Sequence, residues 1–537
     1  MPITEMLCRN AQLYPGETAL IEREPAVGGR REITWLEFED SANKMANLLL
    51  SRGVGQGDKV VLLMMNCLEW LPVYFGILKT GALAVPLNFR FTVKEIKKCI
   101  ETANARVLVY GPEFREKINE ISGGLSCTES FIFVGEDCPE IAENYTKLLA
   151  KFPADAPKVT IFDYNEAALY FTSGTTGTPK PIMLTHANLV SACITEKSHH
   201  LQTHEDNFLC IPPLYHTGAK MHWFGSLFVG SKAVILRGLN PRWIIEAVSE
   251  ERATIVWLLV PWAQDILDAI ESGEIDLEKY RLVQWRLMHI GAQPVPPSLI
   301  RRWQKYFPGQ LYDTNYGLSE STGPGCVHLG IENIHKVGAI GRPGFNWQTM
   351  IVDEHDSPVP IGKVGELLVS GPGVMNGYYQ NPEATGAVLK NGWLHTGDMA
   401  RQDEDGFIYL VDRKKDVVIS GGENIFPVEI EDFLQAHDDI KDVAVIGLPD
   451  IRLGEIAVAI VETKPGRKLT EALVIEFCKD LPRYKRPVKV FFDKVPRNPT
   501  GKIEKTRLRM KYSGKREAFN NEDYAPSRES ERKLAMG

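Results

Sequence analysis

Runs of consecutive apolar residues alternate with helix-like segments along most of the chain. Near the N-terminus, Lys59–Met65 predicts a strand, Glu69–Thr80 a helix and Ala82–Leu87 a second strand. The same pattern predicts further strands at Arg106–Tyr110, Ser130–Val134, Lys232–Leu236 and Thr254–Leu259. Strands that are covered on both faces are apolar throughout, whereas half-exposed strands alternate with polar residues. The pattern therefore favours an α/β fold of parallel sheets with helices on both faces.

The pattern changes near Gly341, where the strands become shorter and glycine turns separate them. We interpret residues 340–411 as a small β-rich subdomain of an N-terminal domain that covers residues 1–411. The charged segment 412–416 (DRKKD) lies between two apolar strands and marks a second boundary. Elements are then predicted at Pro427–Ala436, Asp442–Leu448, Glu455–Val461 and Thr470–Asp480. They indicate a compact C-terminal domain over residues 417–512, followed by a polar, loosely ordered tail at 513–537.

Length and charge restrict the function classes. With 537 residues the chain is too long for a single hydrophobic core, so several packing units are expected. Its 61 Lys and Arg against 69 Asp and Glu give a net charge of -8, which disfavours general binding to nucleic acids or anionic membranes. An anionic small molecule remains compatible with this charge, because a few local cations and backbone amides suffice to bind one.

Targeting and redox signals favour a cytoplasmic protein. The N-terminal segment predicts an amphipathic helix rather than a signal peptide. The apolar runs are far shorter than the roughly 20 residues that a membrane span requires, so we expect no integral membrane association. The nine cysteines are scattered without a CxxC pair, which argues against a disulfide framework and against a structural zinc site.

A phosphate-binding loop is the strongest chemical signal. The predicted strand Ala167–Phe171 leads into Thr172–Lys180 (TSGTTGTPK), which combines two glycines, several hydroxyl residues and a lysine. Glycines let the backbone turn and present its amides, while hydroxyls and a lysine supply further donors and a positive charge. An ordinary Gly/Thr turn is the alternative for such a segment on its own. The spacing differs from that of a Walker loop.

The order of residues in this loop resembles the signature of the adenylate-forming superfamily, which contains acyl-CoA synthetases, luciferases and the adenylation domains of peptide synthetases. Further segments resemble blocks of this superfamily in the expected order: Gly81–Asn88, Asn315–Glu320, Gly338–Gly344, Val364–Val369, Gly392–Asp398, Tyr409–Asp416, Ser420–Pro427 and Pro499–Lys502. The resemblance thus covers almost the entire chain. One departure is Pro181, where the superfamily usually has glycine and where one backbone donor is lost.

The resemblance implies how the domains are built and move. It implies a large N-terminal domain of two packed, mostly parallel sheets with helices, together with the small β-rich subdomain. It also implies that residues 412–416 form a hinge, with Lys415 at the hinge position. The C-terminal domain becomes a small, mobile α+β lid. A monomer or a homodimer is expected.

The resemblance also implies residues that bind ATP and coenzyme A. In the N-terminal domain these are Thr172, Ser173, Gly174, Thr175, Thr176, Gly177, Lys180, Gly291, Ala292, Gln293, Asn315, Tyr316, Gly317 and Ser319. Farther along the chain they are Asp398, Tyr409, Arg413, Lys415, Gly421, Gly422, Glu423 and Lys502. Tyr316 is expected against the adenine face, and Asp398 is expected to accept hydrogen bonds from the ribose hydroxyls. From the sequence alone, a core tyrosine and a turn aspartate are the alternatives.

Four residues are implied in the chemistry: Lys502, Glu320, Thr175 and His216. Glu320 resembles the magnesium ligand, since a carboxylate is a hard oxygen donor for a hard cation. Lys502 resembles the lysine that bridges the carboxylate and the α-phosphate. Attack of one anion on another requires a cation whose interaction strengthens as charge builds at phosphorus. A purely structural histidine is an equal alternative for His216.

The predicted acyl pocket is rich in aromatic and apolar residues. It comprises Tyr215, His216, Trp223, Trp257, Gly291, Gly317 and Leu318. The bulk of the tryptophans favours a medium-chain, alicyclic or aromatic acid, although core packing explains each tryptophan equally well. For a second carboxylate on the substrate, the candidate cations are His222 and His289.

The resemblance implies a reaction in two steps. A carboxylate attacks the α-phosphorus of Mg-ATP to give an acyl-adenylate and pyrophosphate, and coenzyme A then gives an acyl-CoA and AMP. The first alternative is an adenylation enzyme that loads a carrier protein. Such enzymes normally have an aspartate in the region of Tyr215–Thr217, and this chain does not. The second is a luciferase-like or non-enzymatic homologue, which the presence of Lys502, Glu320 and Asp398 disfavours. The expected partners are therefore a small-molecule carboxylate, ATP, Mg²⁺ and CoA, without nucleic acid.

Overall fold

The computed structural model describes residues 1–172, 180–291, 295–421, 423–497 and 503–513. The chain divides into two compact units, with the boundary between Val411 and Asp412. The first unit contains two large, mostly parallel sheets with helices and smaller antiparallel sheets, and the second is a small α+β unit. The predicted fold class is confirmed.

The helices of the first unit are α1 (Thr4–Leu13), α2 (Trp35–Ser51), α3 (Trp70–Leu78), α4 (Val93–Ala103), α5 (Arg115–Ser122), α6 (Tyr145–Leu149), α7 (His186–His199), α8 (Thr217–Val229), α9 (Pro241–Glu251), α10 (Val260–Glu271), α11 (Pro297–Tyr306) and α12 (Pro382–Val388). Its strands begin with β1 (Thr18–Glu24), β2 (Gly29–Thr34), β3 (Lys59–Leu63), β4 (Leu83–Pro86), β5 (Val107–Tyr110), β6 (Ser130–Phe133), β7 (Glu143–Asn144), β8 (Glu166–Thr172), β9 (Lys180–Thr185), β10 (Asn207–Cys210), β11 (Lys232–Leu236) and β12 (Ile255–Leu259). They continue with β13 (Leu287–Gly291), β14 (Leu311–Asp313), β15 (Asn315–Leu318), β16 (Gly323–His328), β17 (Arg342–Pro343), β18 (Gln348–Val352), β19 (Gly365–Ser370), β20 (Gly377–Tyr378), β21 (Leu389–Lys390), β22 (Trp393–Gln402) and β23 (Ile408–Arg413).

The second unit has a five-stranded sheet with helices. Its strands are β24 (Val418–Ser420), β25 (Glu423–Ile425), β26 (Ile440–Asp450), β27 (Gly454–Thr463) and β28 (Lys489–Phe492), and its helices are α13 (Pro427–Gln435), α14 (Glu471–Phe477) and α15 (Lys505–Ser513). The strand order is β25-β24-β27-β26, with β28 paired to β27.

Two large sheets dominate the first unit. One has the order β14-β13-β12-β10-β11-β1-β2, and every neighbouring pair is parallel except the β1–β2 hairpin. The other has the order β20-β9-β8-β4-β3-β5-β6-β7 and is parallel from β8 to β7. One hydrophobic core contains residues of both sheets, for example Val60 of β3 and Phe208 of β10. The sheets are therefore packed on each other, as the resemblance implies.

Helix α3 lies in this shared core. Its sequence, WLPVYFGIL, has no charged residue, and all of its residues are buried; a helix that is apolar on every side requires such an environment. Gly76 allows α2 to approach closely, because a Cβ atom at this position would lie 2.6 Å from the Met45 Cβ. A larger residue at Gly76 would force the two helices apart.

The predicted elements correspond closely to the observed ones. The strand at Lys232–Leu236 has the predicted bounds. The helix predicted at Glu69–Thr80 is shorter, since it comprises Trp70–Leu78. Residues 340–411 contain an antiparallel sheet of order β18-β19-β22-β21 with β23 added at β22, and Asp398 lies on its strand β22. Within the described part of the chain, none of the helices combines the length and apolar character that a bilayer crossing requires.

Candidate active site

The strands that flank the predicted phosphate loop form an antiparallel pair. β8 ends at Thr172 and β9 begins at Lys180, and these two residues are register partners. Thr172 Oγ1 donates a hydrogen bond to the carbonyl oxygen of Lys180 (3.3 Å). The predicted loop residues Ser173, Gly174, Thr175, Thr176 and Gly177 lie outside the described residues, and their roles stay predictions.

The position of Pro181 in β9 explains why a proline is tolerated there. Its carbonyl oxygen accepts a hydrogen bond from the Tyr379 N–H (2.8 Å). In an antiparallel strand, the nitrogen and the carbonyl of one residue point to the same side. The Pro181 nitrogen therefore faces β20, which is only two residues long, and not β8. The β8–β9 ladder keeps its hydrogen bonds.

Tyr378 connects the predicted phosphate lysine to the predicted magnesium ligand. Lys180 Nζ lies 5.2 Å from the centroid of the Tyr378 ring. On its other side, Tyr378 Oη donates a hydrogen bond to Glu320 Oε1 (3.0 Å). Burial and the neighbouring Glu320 raise the pKa of Tyr378, so the phenol keeps its proton and remains a donor. Glu320 offers a carboxylate held in one orientation, which fits a ligand for Mg²⁺.

Tyr316 and Asp398 meet although they lie on different sheets. Tyr316 Oη donates a hydrogen bond to Asp398 Oδ2 (2.5 Å). Burial and the Asp398 carboxylate raise the pKa of Tyr316 well above its ordinary value. The Asp398 backbone N–H donates to Thr396 Oγ1 (3.1 Å), which fixes the turn that carries the carboxylate. The geometry therefore joins the predicted adenine and ribose residues.

His216 is the N-cap of helix α8. Its Nδ1 accepts a hydrogen bond from the Gly218 N–H (3.1 Å), so the neutral ring carries its proton on Nε2. The next residue, Thr217, has its Oγ1 3.0 Å from Ser319 Oγ. These contacts attach the start of α8 to the turn that carries Glu320.

Trp257 bridges two glycines of the predicted acyl pocket. Its Cη2 lies 3.4 Å from the position that a Cβ atom of Gly218 would occupy, and its Nε1 lies 4.0 Å from the corresponding position at Gly291. The ring of His222 stacks on the indole with centroids 4.3 Å apart. Strand β12, the end of β13 and the start of α8 thus meet at this side chain.

The other residues predicted for the acyl pocket and the nucleotide site lie in different parts of the first unit. Tyr215 is buried and its ring packs edge-on against Phe89 (5.3 Å). Trp223 packs among Phe38, Phe75 and Phe224 in the aromatic core, while Gly317 and Leu318 lie on β15. Tyr409 lies on β23 and donates from its Oη to Asp403 (3.4 Å). Ala292 and Gln293 lie outside the described residues.

A cluster of buried histidines lies behind Trp257 and Asn315. We call it the histidine cluster; it consists of His200, His222, His289 and His328 with Glu196 and Asp313. His222 Nε2 lies 2.9 Å from His289 Nε2, and His289 Nδ1 lies 3.0 Å from His200 Nε2. Asp313 Oδ2 lies 3.0 Å from His328 Nε2 and 3.3 Å from His200 Nε2. Glu196 Oε2 lies 3.3 Å from His200 Nδ1.

The partners of the rings assign their protons. His222 Nδ1 faces the Gly218 carbonyl oxygen, which only accepts, so Nδ1 carries the proton and Nε2 is an acceptor. His289 Nε2 must then donate to His222, and His289 Nδ1 accepts from His200 Nε2. Burial lowers the pKa of His222 well below its ordinary value and that of His289 to about 4, so both rings are neutral. Neither is therefore a cation for a second carboxylate.

The two carboxyl groups of the histidine cluster have opposite protonation states. Burial raises the pKa of Glu196 well above its ordinary value, so this side chain is neutral. Burial alone would also raise the pKa of Asp313, but His328 and His200 hold it well below its ordinary value. Asp313 is thus the ionised acceptor of the cluster.

One atom each from His200, Asp313 and His328 lies within 4.8 Å of the others, which is a spacing compatible with a metal ion. The hydrogen bonds argue against this interpretation. The Gly330 N–H donates to His328 Nδ1 (3.1 Å), so the neutral ring carries its proton on Nε2, the atom that faces Asp313. A protonated nitrogen is not a metal ligand. We therefore interpret the cluster as a hydrogen-bonded network.

In the second unit, the predicted hinge begins at a buried aspartate. Asp412 accepts hydrogen bonds from the backbone N–H groups of Arg413 (2.7 Å) and Val428 (3.1 Å). Burial raises the pKa of Asp412 to about 6, although Lys505 opposes the shift. Asp416 forms an ion pair with Arg509 (2.7 Å), and Lys415 lies in the turn 414–416.

Gly421 and Glu423, which are among the residues predicted to bind ATP and coenzyme A, lie at strands β24 and β25. Gly421 has a φ of 59°, and its N–H donates to the Leu453 carbonyl oxygen (2.8 Å). Glu423 is exposed at the start of β25. Gly422 and Lys502 lie outside the described residues, so the role of Lys502 stays a prediction.

Tyr378 and the histidine cluster were not found from the sequence. Tyr378 belongs to none of the motif segments, and its contact with Glu320 joins residues 58 positions apart. The histidines lie on α7, α8, β13 and β16 or directly after them, so only the folded topology brings them together. No local pattern signals either feature.

Comparisons with known proteins agree with this architecture. Residues 7–379 match the model of the AMP-binding enzyme family, and residues 429–502 match that of the AMP-binding enzyme C-terminal domain. The chain is 32% identical to a feruloyl-CoA synthase of Amycolatopsis sp. over 510 residues, which covers 94% of this chain and 98% of that protein. It is also 32% identical to a long-chain-fatty-acid–CoA ligase of Mycobacterium tuberculosis over 513 residues, covering 95% and 98%. The crystal structure of the anthranilate CoA ligase AuaEII with anthranoyl-AMP superposes with a TM-score of 0.88 at 25% identity, covering 96% of this chain and 98% of that one.

The fold and the order of the motif segments define an adenylate-forming protein. The chain belongs to the AMP-binding enzyme family, and the predicted superfamily is confirmed.

Proposed function

We propose that the protein is an AMP-forming carboxylate–CoA ligase whose substrate is a medium-chain, alicyclic or aromatic acid. The observation that carries the proposal is that distant motif segments meet through side-chain contacts. Tyr378 joins Lys180 to Glu320, Tyr316 joins its segment to Asp398, and Thr217 contacts Ser319. The relatives that are CoA ligases for ferulate and for long-chain fatty acids support the reaction class. They differ in their acids, so they leave the substrate open.

The first step is adenylation. Residues Thr172–Lys180 bind the phosphates, the Tyr316 ring contacts the adenine and Asp398 accepts hydrogen bonds from the ribose. Glu320 is the ligand for Mg²⁺, which neutralises charge on the phosphates when it is bound. One oxygen of the substrate carboxylate attacks the α-phosphorus, and the bond to the leaving pyrophosphate breaks. Lys502 stabilises the charge that develops between the two anions.

The second step is transfer to coenzyme A. The thiol of CoA, as a thiolate, attacks the acyl carbon of the adenylate, and AMP leaves with the electron pair of the broken C–O bond. Lys502 must withdraw before the thiol can approach, which a rotation at residues 412–416 would accomplish. The Ser420–Pro427 loop then faces the CoA. A carrier-protein-loading enzyme would perform only the first step with a free acid.

A pyrophosphate-release assay over a panel of acids, with and without CoA, tests the proposal. We expect release with at least one medium-chain, alicyclic or aromatic acid, and multiple turnovers only when CoA is present. A single burst that CoA does not extend would favour the carrier-loading alternative. Preference for acetate or palmitate would contradict the proposed substrate class.

The Lys502→Ala variant tests the two-step assignment. We expect adenylation to fall about 10²- to 10³-fold, because a preorganised cation is lost from the transition state. Thioester formation from supplied acyl-adenylate should survive. Lys494→Ala, at an exposed lysine of the same unit, is the control and should leave both steps unchanged. Equal loss of both steps in Lys502→Ala would contradict this role.

A further inference from the structure

Trp257 has a buried hydrogen-bond donor without a partner. The side chain is 4% exposed, and its Nε1 has no hydrogen-bond partner among the described residues. Among the other buried tryptophans, Trp35 Nε1 donates to the Gly230 carbonyl (3.1 Å) and Trp285 Nε1 to the Leu287 carbonyl (3.0 Å). The Nε1 atoms of Trp70, Trp223 and Trp347, like that of Trp257, have no partner among the described residues. A buried N–H without an acceptor is unfavourable, so an orphaned one in a predicted pocket suggests a missing ligand.

The donor lies at the predicted acyl pocket. Trp257 Nε1 is 4.0 Å from the position that a Cβ atom of Gly291 would occupy, and the far edge of the ring is 3.4 Å from that of Gly218. A Cβ atom at Gly291 would lie no nearer than 3.9 Å to the atoms around it, so the indole N–H borders room for a small group there, whereas one at Gly218 would lie 3.2 Å from His216 Nδ1. An acyl group in that space would meet the N–H.

The histidine cluster holds the indole in this orientation. His222 stacks on the ring with an angle of 17° between the planes. His222 is itself held between the Gly218 carbonyl and His289, which is held in turn by His200. A chain of fixed rings thus supports one face of Trp257 and fixes the plane of the indole.

We propose that the acid carries a hydrogen-bond acceptor in its acyl part, such as an ether, carbonyl or hydroxyl oxygen, and that Trp257 Nε1–H donates to it. This inference rests on the proposed function and narrows the substrate to those medium-chain, alicyclic or aromatic acids that carry an oxygen in the acyl part. Trp257 becomes a specificity-determining residue. A site with a buried donor discriminates against an analogue that lacks the acceptor, because the donor is then left unpaired.

Pairs of acids that differ only by an ether oxygen in place of a CH₂ group test the proposal. Suitable pairs are tetrahydropyran-4-carboxylate with cyclohexanecarboxylate, 4-methoxybenzoate with 4-ethylbenzoate, and 3-ethoxypropanoate with hexanoate. We expect the wild-type enzyme to prefer the ether member of at least one pair by about 5- to 10-fold in kcat/KM, the ratio that one hydrogen bond supplies. Trp257→Phe should bring that ratio to near one, because phenylalanine has no N–H to donate to the ether oxygen.

Trp223→Phe is the matched control. Trp223 is equally buried, and its Nε1 also has no partner among the residues that the structure describes, but it packs among Phe38, Phe75 and Phe224. Its substitution should leave the ether preference intact. Trp257→Leu provides a second donor-free variant if Trp257→Phe folds poorly, and it should show the same ratio of near one.

The outcomes separate this inference from the proposed function. Pyrophosphate release without an ether preference in any pair would overturn the inference and leave the ligase activity standing. An ether preference that Trp257→Phe retains would overturn it as well. Release from none of the acids would contradict the proposed function, and the inference with it.

Discussion

Helix α8 carries two buried bases two residues apart, and their surroundings differ completely. Lys220 is fully buried among rings, with its Nζ 4.2 Å from the centroid of Tyr170 and 4.3 Å from that of Tyr74. Its Nζ has no hydrogen-bond partner among the described residues. His222, on another face of the same helix, contacts a carbonyl oxygen through one ring nitrogen and His289 through the other. One helix thus buries a base without partners and a base within a network.

The difference shows what decides the cost of a buried polar group. Burial lowers the pKa of Lys220 well below its ordinary value, so the amine is neutral, and its aromatic surroundings offer it no acceptor. The side chains of the histidine cluster are also buried, but they supply hydrogen-bond donors and acceptors to one another, and Asp313 supplies a negative charge. Removing a member of a network leaves its partners unpaired, whereas removing an isolated group leaves nothing unpaired. Replacing the polar side chain by an apolar one should therefore lower the free energy of unfolding in the histidine cluster and raise it at Lys220.

The largest effect is expected when the network loses its charge. Asp313→Leu removes the acceptor that faces His328 and His200 and leaves their N–H groups buried. We expect a loss of about 2–6 kcal/mol in the free energy of unfolding of the first unit, because two buried N–H groups lose their acceptor at about 1–3 kcal/mol each. Calorimetric unfolding measures it. Asp313→Asn, which retains one acceptor, should lose less, and equal loss in both variants would contradict the role of the charge.

Lys220→Met tests the isolated base and should stabilise the protein. At pH values below the ordinary pKa of lysine, Lys220 binds a proton in the unfolded chain but not in the native state. Wild-type stability therefore falls as the pH decreases from about 10. Methionine removes this cost, and we expect a gain of about 1–3 kcal/mol at pH 7 that shrinks towards pH 10. Thermal midpoints across this pH range measure it.

Lys79→Met is the matched control for Lys220→Met. Lys79 is also buried, but its Nζ pairs with Glu39 (2.5 Å). The same substitution should destabilise there, because it leaves a buried carboxylate without its cation. A loss of stability in Lys220→Met at pH 7 would show that the aromatic rings hold the lysine as a cation.

The sequence predicted those parts of the molecule whose information is local. The strand Lys232–Leu236 was predicted at its observed bounds because its apolar run is continuous, and Glu320 was proposed as the magnesium ligand because its motif surrounds it. Lys220 and His222 could not be told apart in this way. Both lie in one segment, and only the packing of α8 against α3 and β8 on one side and β13 on the other gives them different environments. The orphaned Trp257 Nε1 likewise exists only in the fold.

The smallest expected effect distinguishes the two kinds of buried carboxyl group. Glu196 is neutral in the native state, whereas in the unfolded chain it ionises once the pH exceeds its ordinary pKa. Wild-type stability therefore falls as the pH rises above that ordinary pKa. Glu196→Gln removes that titration and keeps an oxygen that can accept from Asn315 Nδ2, which lies 3.4 Å from Glu196 Oε1. We expect no change near pH 4.5 and a gain of about 1 kcal/mol near pH 7.5, measured as the shift in thermal midpoint.

Glu251→Gln is the same substitution at a buried carboxylate that has cations. Glu251 pairs with Arg23 (2.8 Å) and Arg30 (2.9 Å), and although burial opposes it, these arginines lower the pKa of Glu251. Its contribution to stability is therefore present at neutral pH and is lost as the pH falls through the native pKa. Glu251→Gln should destabilise at pH 7.5 and approach the wild type in acid, opposite in sign to Glu196→Gln at pH 7.5. If both variants lost stability at pH 7.5, Glu196 would be ionised in the native state, and the proton assignment that runs from His222 through His289 to His200 would have to be reversed.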